Sequence, residues 1–355
     1  MFDHRHYVPI LRWKQAERQA LRDLEDHIRA GLTPLVQLLP ESIATGKRAP
    51  SIRRAFQKVA AEMRECWGTR PLLVDLRHID PALRLETEHA LLYLACQARA
   101  NSVSLVPATG LRRDTAYQRA VGQVAAGDGR GICLRLLRND LANPSLRSEV
   151  PRLLRQFSLE PQQVDVVLDI ECHDSSYPDF DSLSSLIPEI RQWRGLAVAS
   201  GAFPPDLTKW TAPGTYREPR RDWLAWRGEI ELAEGVVRKP AFSDYGIYHP
   251  TYKPPPGFPN FSASIRYTSD DAWIVMRGEG VQNPGGAGFD QYPANAQLLC
   301  GMDEFRGPGF SAGDAYILAR ANHPSRTGNA STWLQAGFNH HMTLVVSQIA
   351  SLFGT

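Results

Sequence analysis

No two cysteines stand close enough to suggest a metal ribbon or a disulfide framework. The five present, at 66, 96, 133, 172 and 300, occur singly and in odd number, a pattern that suits a reducing compartment. Cys96 and Cys133 fall in apolar runs and read as small buried hydrophobes. The segment Met1 to Tyr7 lacks a basic-then-apolar leader, and no apolar stretch approaches the roughly 20 residues a membrane helix requires, so a cytoplasmic protein with no membrane partner is expected. Charge of one sign is missing too: 40 basic residues face 38 acidic ones, which leaves no global field to announce a nucleic-acid partner. Local basic clusters (Arg53 with Arg54 and Lys58, Arg112 with Arg113, Arg220 with Arg221) read as solvated faces. The run Ser200-Gly201-Ala202 lacks the GxSxG nucleophile elbow, the Gly280 to Gly288 stretch lacks the lysine of a phosphate loop, and no repeat is visible beyond a strand–helix unit.

What the chain does have is eight short β-type runs, each followed by a helical or polar stretch. They are Tyr7 to Lys14, Thr33 to Leu39, Pro71 to Arg77, Ser102 to Pro107, Gly131 to Leu137, Val164 to Ile170, Gly195 to Ser200 and Ala241 to Ile247. Near-continuous apolar runs suit strands covered on both faces, as parallel strands are. Between them, Ala16 to Ala30 places Ala20, Leu21, Leu24 and Ile28 on one helical stripe, and Glu86 to Ala100 does the same with Ala90, Leu91, Leu94 and Ala98. Further helical candidates are Leu183 to Trp193, which contains Pro188, and Arg220 to Trp226, opened by Pro219. This alternation predicts an α/β fold, a (β/α)8 TIM-type barrel over residues 1–250, with an open doubly wound sheet as the second choice. A chain of 355 residues that is 43% hydrophobic accommodates a barrel of roughly 250 residues and an extension.

After Pro250 the organisation changes. The proline-rich Tyr252 to Asn260 marks the exit from the barrel. A C-terminal α+β extension over 251–355 follows: a strand pair, Ser262 to Thr268 and Ala272 to Arg277, turned at Ser269 to Asp271; a mobile Gly280 to Gly288 loop; and a helix from Thr332 to Phe353, expected to pack against the barrel.

Chemistry in such a barrel sits at the C-terminal strand ends. Those ends carry Lys14, Asp75 with Arg77 and His78, Arg135, Asp169 with Glu171 and His173, Ser200, and Asp244 with Tyr245. Buried polar groups need partners or a purpose. One reading is an internal network in which Arg135 bridges Asp75 and Asp169. The other makes Asp75, Asp169, Glu171 and Asp244 catalytic carboxylates, with Lys14, Arg77, Arg135, Ser200, Tyr245, Arg277 and His340 as ligand contacts. Period-two alternation would aim Asp169, Glu171 and His173 along one face, a set suited to magnesium or manganese. Lys14 at the first strand tip is a Schiff-base candidate or, with Glu17 at hand, a salt-bridge residue. The turn from Ser200 to Pro205 offers backbone donors to an anion. His340 and His341, about 100° apart on one helix, cannot both face one metal; one is expected at the barrel mouth and the other in solvent.

Tyr7 to Lys14, Ser200 to Pro204, Asp244 to Gly246, Arg266 to Thr268, Arg277 with Gly278, Thr332 with Trp333 and His340 with His341 together resemble the "beta protein" family, named for a phage T4 beta protein. That resemblance implies a link to phage or bacterial defence functions and brings no assigned activity or site residue. Two function classes follow. The first is a ligand-binding barrel, in its sharpest form a metal-assisted hydrolase of a phosphorylated small molecule or nucleic acid. The second is a non-catalytic scaffold that binds a nuclease, another defence protein or nucleic acid.

Overall fold

The computed structural model describes residues 2–43, 49–85, 88–174, 177–211, 213–232, 235–254 and 260–354. In chain order the main strands are β1 (Ile10–Arg12), β2 (Leu35–Gln37), β3 (Pro71–Asp75), β4 (Ser104–Thr109), β5 (Ile132–Leu137), β6 (Val164–Cys172), β7 (Gly195–Gly201), β8 (Gly214–Pro219), β9 (Ala241–Ser243), β10 (Ser262–Thr268) and β11 (Ala272–Gly280). The helices used below are α1 (Gln15–Arg22), α2 (Asp26–Ala30), α3 (Ala49–Trp67), α4 (Ala90–Ala100), α5 (Thr115–Asp128), α6 (Arg138–Leu141), α7 (Leu146–Phe157), α8 (Leu183–Leu186), α9 (Arg221–Leu232), α10 (Gln291–Cys300), α11 (Ala312–Asn322) and α12 (Ala330–Phe353).

Strands β1 to β7 and β9 form one eight-stranded sheet in sequence order, and the registers described between its strands are parallel. Its two edges meet: Tyr7 bridges Phe242 in parallel, and Val8 N and Ile10 N donate to the carbonyls of Phe242 at 2.9 Å and Asp244 at 2.8 Å. This is the closed (β/α)8 barrel that the alternation predicts. The apolar runs explain it, since β3 to β7 are buried almost throughout and closure removes the sheet edges that such strands would otherwise expose.

Two compact units share the chain. The first comprises 1–14, 31–200 and 225–244; the second comprises 15–30, 201–224 and 245–355. The second unit is therefore wider than the 251–355 segment the proline-rich boundary suggests. It draws in the first helices and the β8 segment, for a reason visible in each. Ala16, Ala20 and Leu21 give α1 a buried apolar face, and α1 packs on α12, with Asn339 Nδ2 donating to the Ala20 carbonyl at 3.1 Å and Gln335 Nε2 to Asp23 Oδ2 at 2.7 Å. Strand β8 pairs antiparallel with β11, which pairs antiparallel with β10. The expected strand pair is present, and β8 makes it a three-stranded sheet. Under it lies an apolar cluster including Ile265, Tyr267, Ile274, Tyr292 and Trp333, where the Tyr292 and Trp333 rings stack at 5.1 Å. Within its unit α12 packs on α1, α11 and β10.

Three local expectations are corrected. The helix expected over Leu183 to Trp193 stops at Leu186, because Ile187 precedes Pro188 and takes an extended conformation, φ −114° and ψ 135°, as a residue before proline prefers. Cys96 is exposed, on the outer side of α4, while Cys133 is buried. His340 and His341 are both completely buried. Of the proline-rich exit, Pro255 to Pro259 lie outside the described residues.

Candidate functional site

Arg135, near the end of β5, is 2% exposed and reaches across the barrel. Its Nε and Nη2 donate to Asp169 Oδ2 at 2.8 and 2.6 Å, and its Nη1 donates to Asp75 Oδ2 at 2.8 Å. In the amide orientation that satisfies both its ends, the Gln37 oxygen accepts from Arg135 Nη1 at 2.7 Å. The two aspartates also order the backbone beyond the strands: Asp75 Oδ1 accepts from Arg77 N at 2.8 Å and Asp169 Oδ1 from Glu171 N at 2.8 Å. The bridging network expected from the sequence is thus present.

Outward from it runs a second tier. Asp75 Oδ1 accepts from Arg113 Nη2, and Arg77 Nη2 donates to Glu171 Oε1 at 3.1 Å. Burial pushes the Asp75 carboxyl up, but Arg113, Arg135 and Arg77 outweigh it and hold its pKa at about 2. Asp75 is therefore a fixed anion and a poor proton acceptor at neutral pH. The imidazole of His78 is lowered to about 4, by burial first and the Arg77 charge second, so it is neutral there.

Beside this tier, in the loops after β3 and β4, lies a cavity of about 300 Å³ lined by Arg77, Arg112, Arg113, His89, Asp80 and Asp114, among others. Arg112 Nε donates to Asp140 Oδ1 at 3.0 Å, and Asp140, buried at the start of α6, also accepts from Leu137 N at 3.0 Å. The Arg113 guanidinium lies over the Tyr117 ring, 5.2 Å from its centroid. Among the described residues, the side-chain hydrogen bonds of Arg77, Arg112 and Arg113 each use one guanidinium nitrogen, and a guanidinium has five N–H donors. Sequence reading missed Arg112 and Arg113 because an adjacent basic pair looks like a solvated face. The signal available was their position just after the Ser104 to Thr109 strand, where barrels put their chemistry.

The remaining candidates are dispersed. Asp169, Glu171 and His173 do not form a metal site: among the described residues no group of three His, Cys, Asp or Glu is placed to hold an ion. The alternation fails because Glu171 adopts φ +59°, a left-handed conformation that turns the strand, and because Asp169 and Glu171 are engaged by Arg135 and Arg77. Lys14 pairs with Glu41 at 3.5 Å. Asp244 is completely buried at the closing seam, accepting from the Tyr7 hydroxyl at 2.5 Å. Ser200 Oγ is buried and has no hydrogen-bond partner among the described residues. In the turn after it, the Ala202 amide donates to Asp222 Oδ2 at 3.0 Å, so a carboxylate of the chain already occupies that donor. Tyr245, Arg277 and His340 belong to the second unit. There Tyr245 packs over Gly201, Arg277 stands on β11, and His340 joins a sealed network: Nδ1 lies 2.8 Å from Asp314 Oδ2, Nε2 lies 2.7 Å from the Thr268 carbonyl, and the ring stacks on Tyr267 at 3.9 Å.

Comparison with known proteins gives one extensive match and several slight ones. Expansin-B3 of Oryza sativa subsp. japonica is 34% identical over 94 residues, which cover 23% of this chain and 35% of that protein; the chain thus spans about a third of the length of the curated relative it matches. Two mutant forms of the tryptophan synthase alpha-subunit from Pyrococcus furiosus superpose with TM-scores of 0.39 and 0.38 at 14% and 12% identity, each covering 69% of this chain and 89% of that one. At that distance the barrel rests on its own strand order. No helix among the described residues is long and apolar enough to cross a membrane. The extensive match is to the family model described as Beta protein, which runs over residues 7–347 and so takes in both units: the chain belongs to the Beta protein family.

Proposed function

We propose that the barrel binds a small anionic molecule at its C-terminal rim, in the cavity between the loops that follow β3 and β4. The observation that carries this reading is the convergence of Arg77, Arg112 and Arg113 on one cavity of about 300 Å³, two of them anchored from behind by Asp75 and Glu171. Anchored guanidinium groups lose less freedom when a ligand arrives and offer paired donors to phosphate or carboxylate oxygens. Three such groups offer more donors than a carboxylate's two oxygens accept comfortably, which favours a phosphoryl group. The cavity stands at the lower end of the usual ligand-site range, roughly 300–1,000 Å³, and fits a phosphorylated small molecule better than a nucleic-acid strand.

Binding is better supported than hydrolysis. Asp75 and Glu171, the carboxylates behind the cavity's arginines, are each paired with arginine, and among the described residues no group of three His, Cys, Asp or Glu is placed to hold a metal ion. Calorimetric titration with inorganic phosphate tests the reading. The wild-type protein is expected to bind in the millimolar range or tighter, and Arg112→Ala, which leaves Asp140 its backbone donor, is expected to weaken binding about tenfold, the loss of a charge-assisted hydrogen bond. Failure of the wild-type protein to bind phosphate or a phosphomonoester would overturn it.

A further inference from the structure

His89 lines the same cavity and does two things at once. Its Nδ1 accepts from the Leu91 amide at 3.1 Å, capping α4. An imidazole that accepts at Nδ1 carries its proton on Nε2 when neutral, and burial, then the Arg84 charge, lower its pKa from the ordinary value. The Nε2–H is therefore a donor. Only 8% of the residue is exposed, yet Nε2 is buried with no acceptor among the described residues. Nor can the ring readily swing to find one: the cap fixes one edge, and Tyr117 packs against it edge-on at 5.6 Å, its own hydroxyl committed to the Ala108 carbonyl at 2.8 Å. Serine, threonine, aspartate or asparagine would cap the helix as well or better. What histidine adds at this place is the second nitrogen, and leaving it unpaired has a cost that an acceptor from a ligand removes.

The acidic residues of the cavity specify the rest. Asp80 Oδ1 accepts from the Ala82 amide, and Asp114 Oδ1 accepts from the Ala116 and Tyr117 amides; neither bond uses the second carboxylate oxygen. A ligand that satisfies three arginines, one neutral N–H donor and two carboxylate acceptors has an anionic end and a hydroxylated body.

Resting on the anion-binding reading above, we propose that the ligand is a phosphorylated polyol or sugar of small size, and that His89 is the residue that selects its hydroxylated body by donating from Nε2 to a neutral oxygen. Arg77, Arg112 and Arg113 hold the phosphoryl group, and Asp80 and Asp114 accept from hydroxyls.

The experiment compares two probes, inorganic phosphate and ribose 5-phosphate, by calorimetry on the wild-type protein and on His89→Asn. The asparagine oxygen keeps the cap on Leu91 while removing the Nε2–H; His89→Ser, also able to cap, replaces it should the asparagine variant fail to fold. Ribose 5-phosphate is expected to bind the wild-type protein about tenfold or more tighter than inorganic phosphate, and His89→Asn is expected to erase most of that advantage, to within about threefold, while leaving the affinity for inorganic phosphate unchanged. Binding of phosphate with no preference for the sugar phosphate, or a preference that survives in the variant, overturns the role of His89 and leaves the anion site standing. Absence of binding by either probe overturns the anion site, and this inference with it.

Discussion

Each unit of the chain buries a charged network, and the two are closed to different degrees. In the second unit the side chains of His340, Asp314, Ser311 and Tyr267 are all paired: Asp314 accepts from the Tyr267 hydroxyl at 2.8 Å and the Ser311 hydroxyl at 2.5 Å, and the nitrogens of His340 face Asp314 and the Thr268 carbonyl. All four residues are buried. In the barrel the inner tier around Arg135 is as closed, but the next tier ends at a cavity where three arginines retain donors. Buried polar groups that are all paired fix a structure, whereas a network that stops short at a void is held ready for something else. The difference separates a histidine that pins elements together from a histidine, His89, whose Nε2 has no hydrogen-bond partner among the described residues.

The largest effect is expected from Arg135→Ala, which leaves Asp75 and Asp169 buried without their shared counter-charge. It should lower stability by roughly 3–5 kcal/mol, as removal of one member of a buried ion pair does, read by urea unfolding. A variant as stable as the wild type would break the contrast, because the inner tier would then be dispensable. His340→Ala should cost somewhat less, about 2–4 kcal/mol, since Asp314 keeps two hydroxyl donors, and phosphate affinity should be unchanged; a loss of phosphate binding would show that the closed network serves ligand binding after all. Arg112→Ala should do the reverse, with stability within about 1 kcal/mol of wild type, because its guanidinium is largely exposed, and affinity for phosphate down by about tenfold.

The last effect concerns pH. The folded pKa of His78 lies near 4, below the unfolded value of 6.5, so between these values the unfolded chain binds more protons and stability falls as pH drops from about 6.5 to 4. The depressed pKa of Asp75, about 2 against 3.8, adds a further loss as pH falls from about 4 to 2. Unfolding curves of His78→Gln should show a shallower decline over the upper window and an unchanged one over the lower. Equal slopes for variant and wild type above pH 4 would place that titration elsewhere.

Much of the barrel was legible because the physics is local: apolar runs too continuous for one-sided strands, and an arginine and two aspartates inside them that had to meet. Less of the site was legible. The turn at Glu171 depends on a backbone conformation that no pattern of side chains announces, and it undoes the alternation on which the Asp169, Glu171 and His173 site rested. Arg112 and Arg113 look like surface residues until the Asp75 and Asp140 carboxylates are seen behind them. Strand β8 is largely exposed and ends in proline, so it has neither the apolar run nor the clean alternation of a strand, and its pairing with β11 is a long-range fact. For the same reason a linear cut at Pro250 could not find a unit drawn from three separate stretches.

That three-part composition bears on how the protein is made. Helix α1 is synthesised directly after the first barrel strand, but the α12 residues that meet Ala20 and Asp23 follow them by 319 and 312 residues. At roughly 5–20 residues per second, the apolar side of α1 waits for tens of seconds without its partner. A nascent chain in that interval exposes Ala16, Ala20 and Leu21, and contacts so distant in sequence form slowly. Chains that end before Ala330 never escape that state, so they should aggregate or be captured by chaperones even where every barrel strand is present.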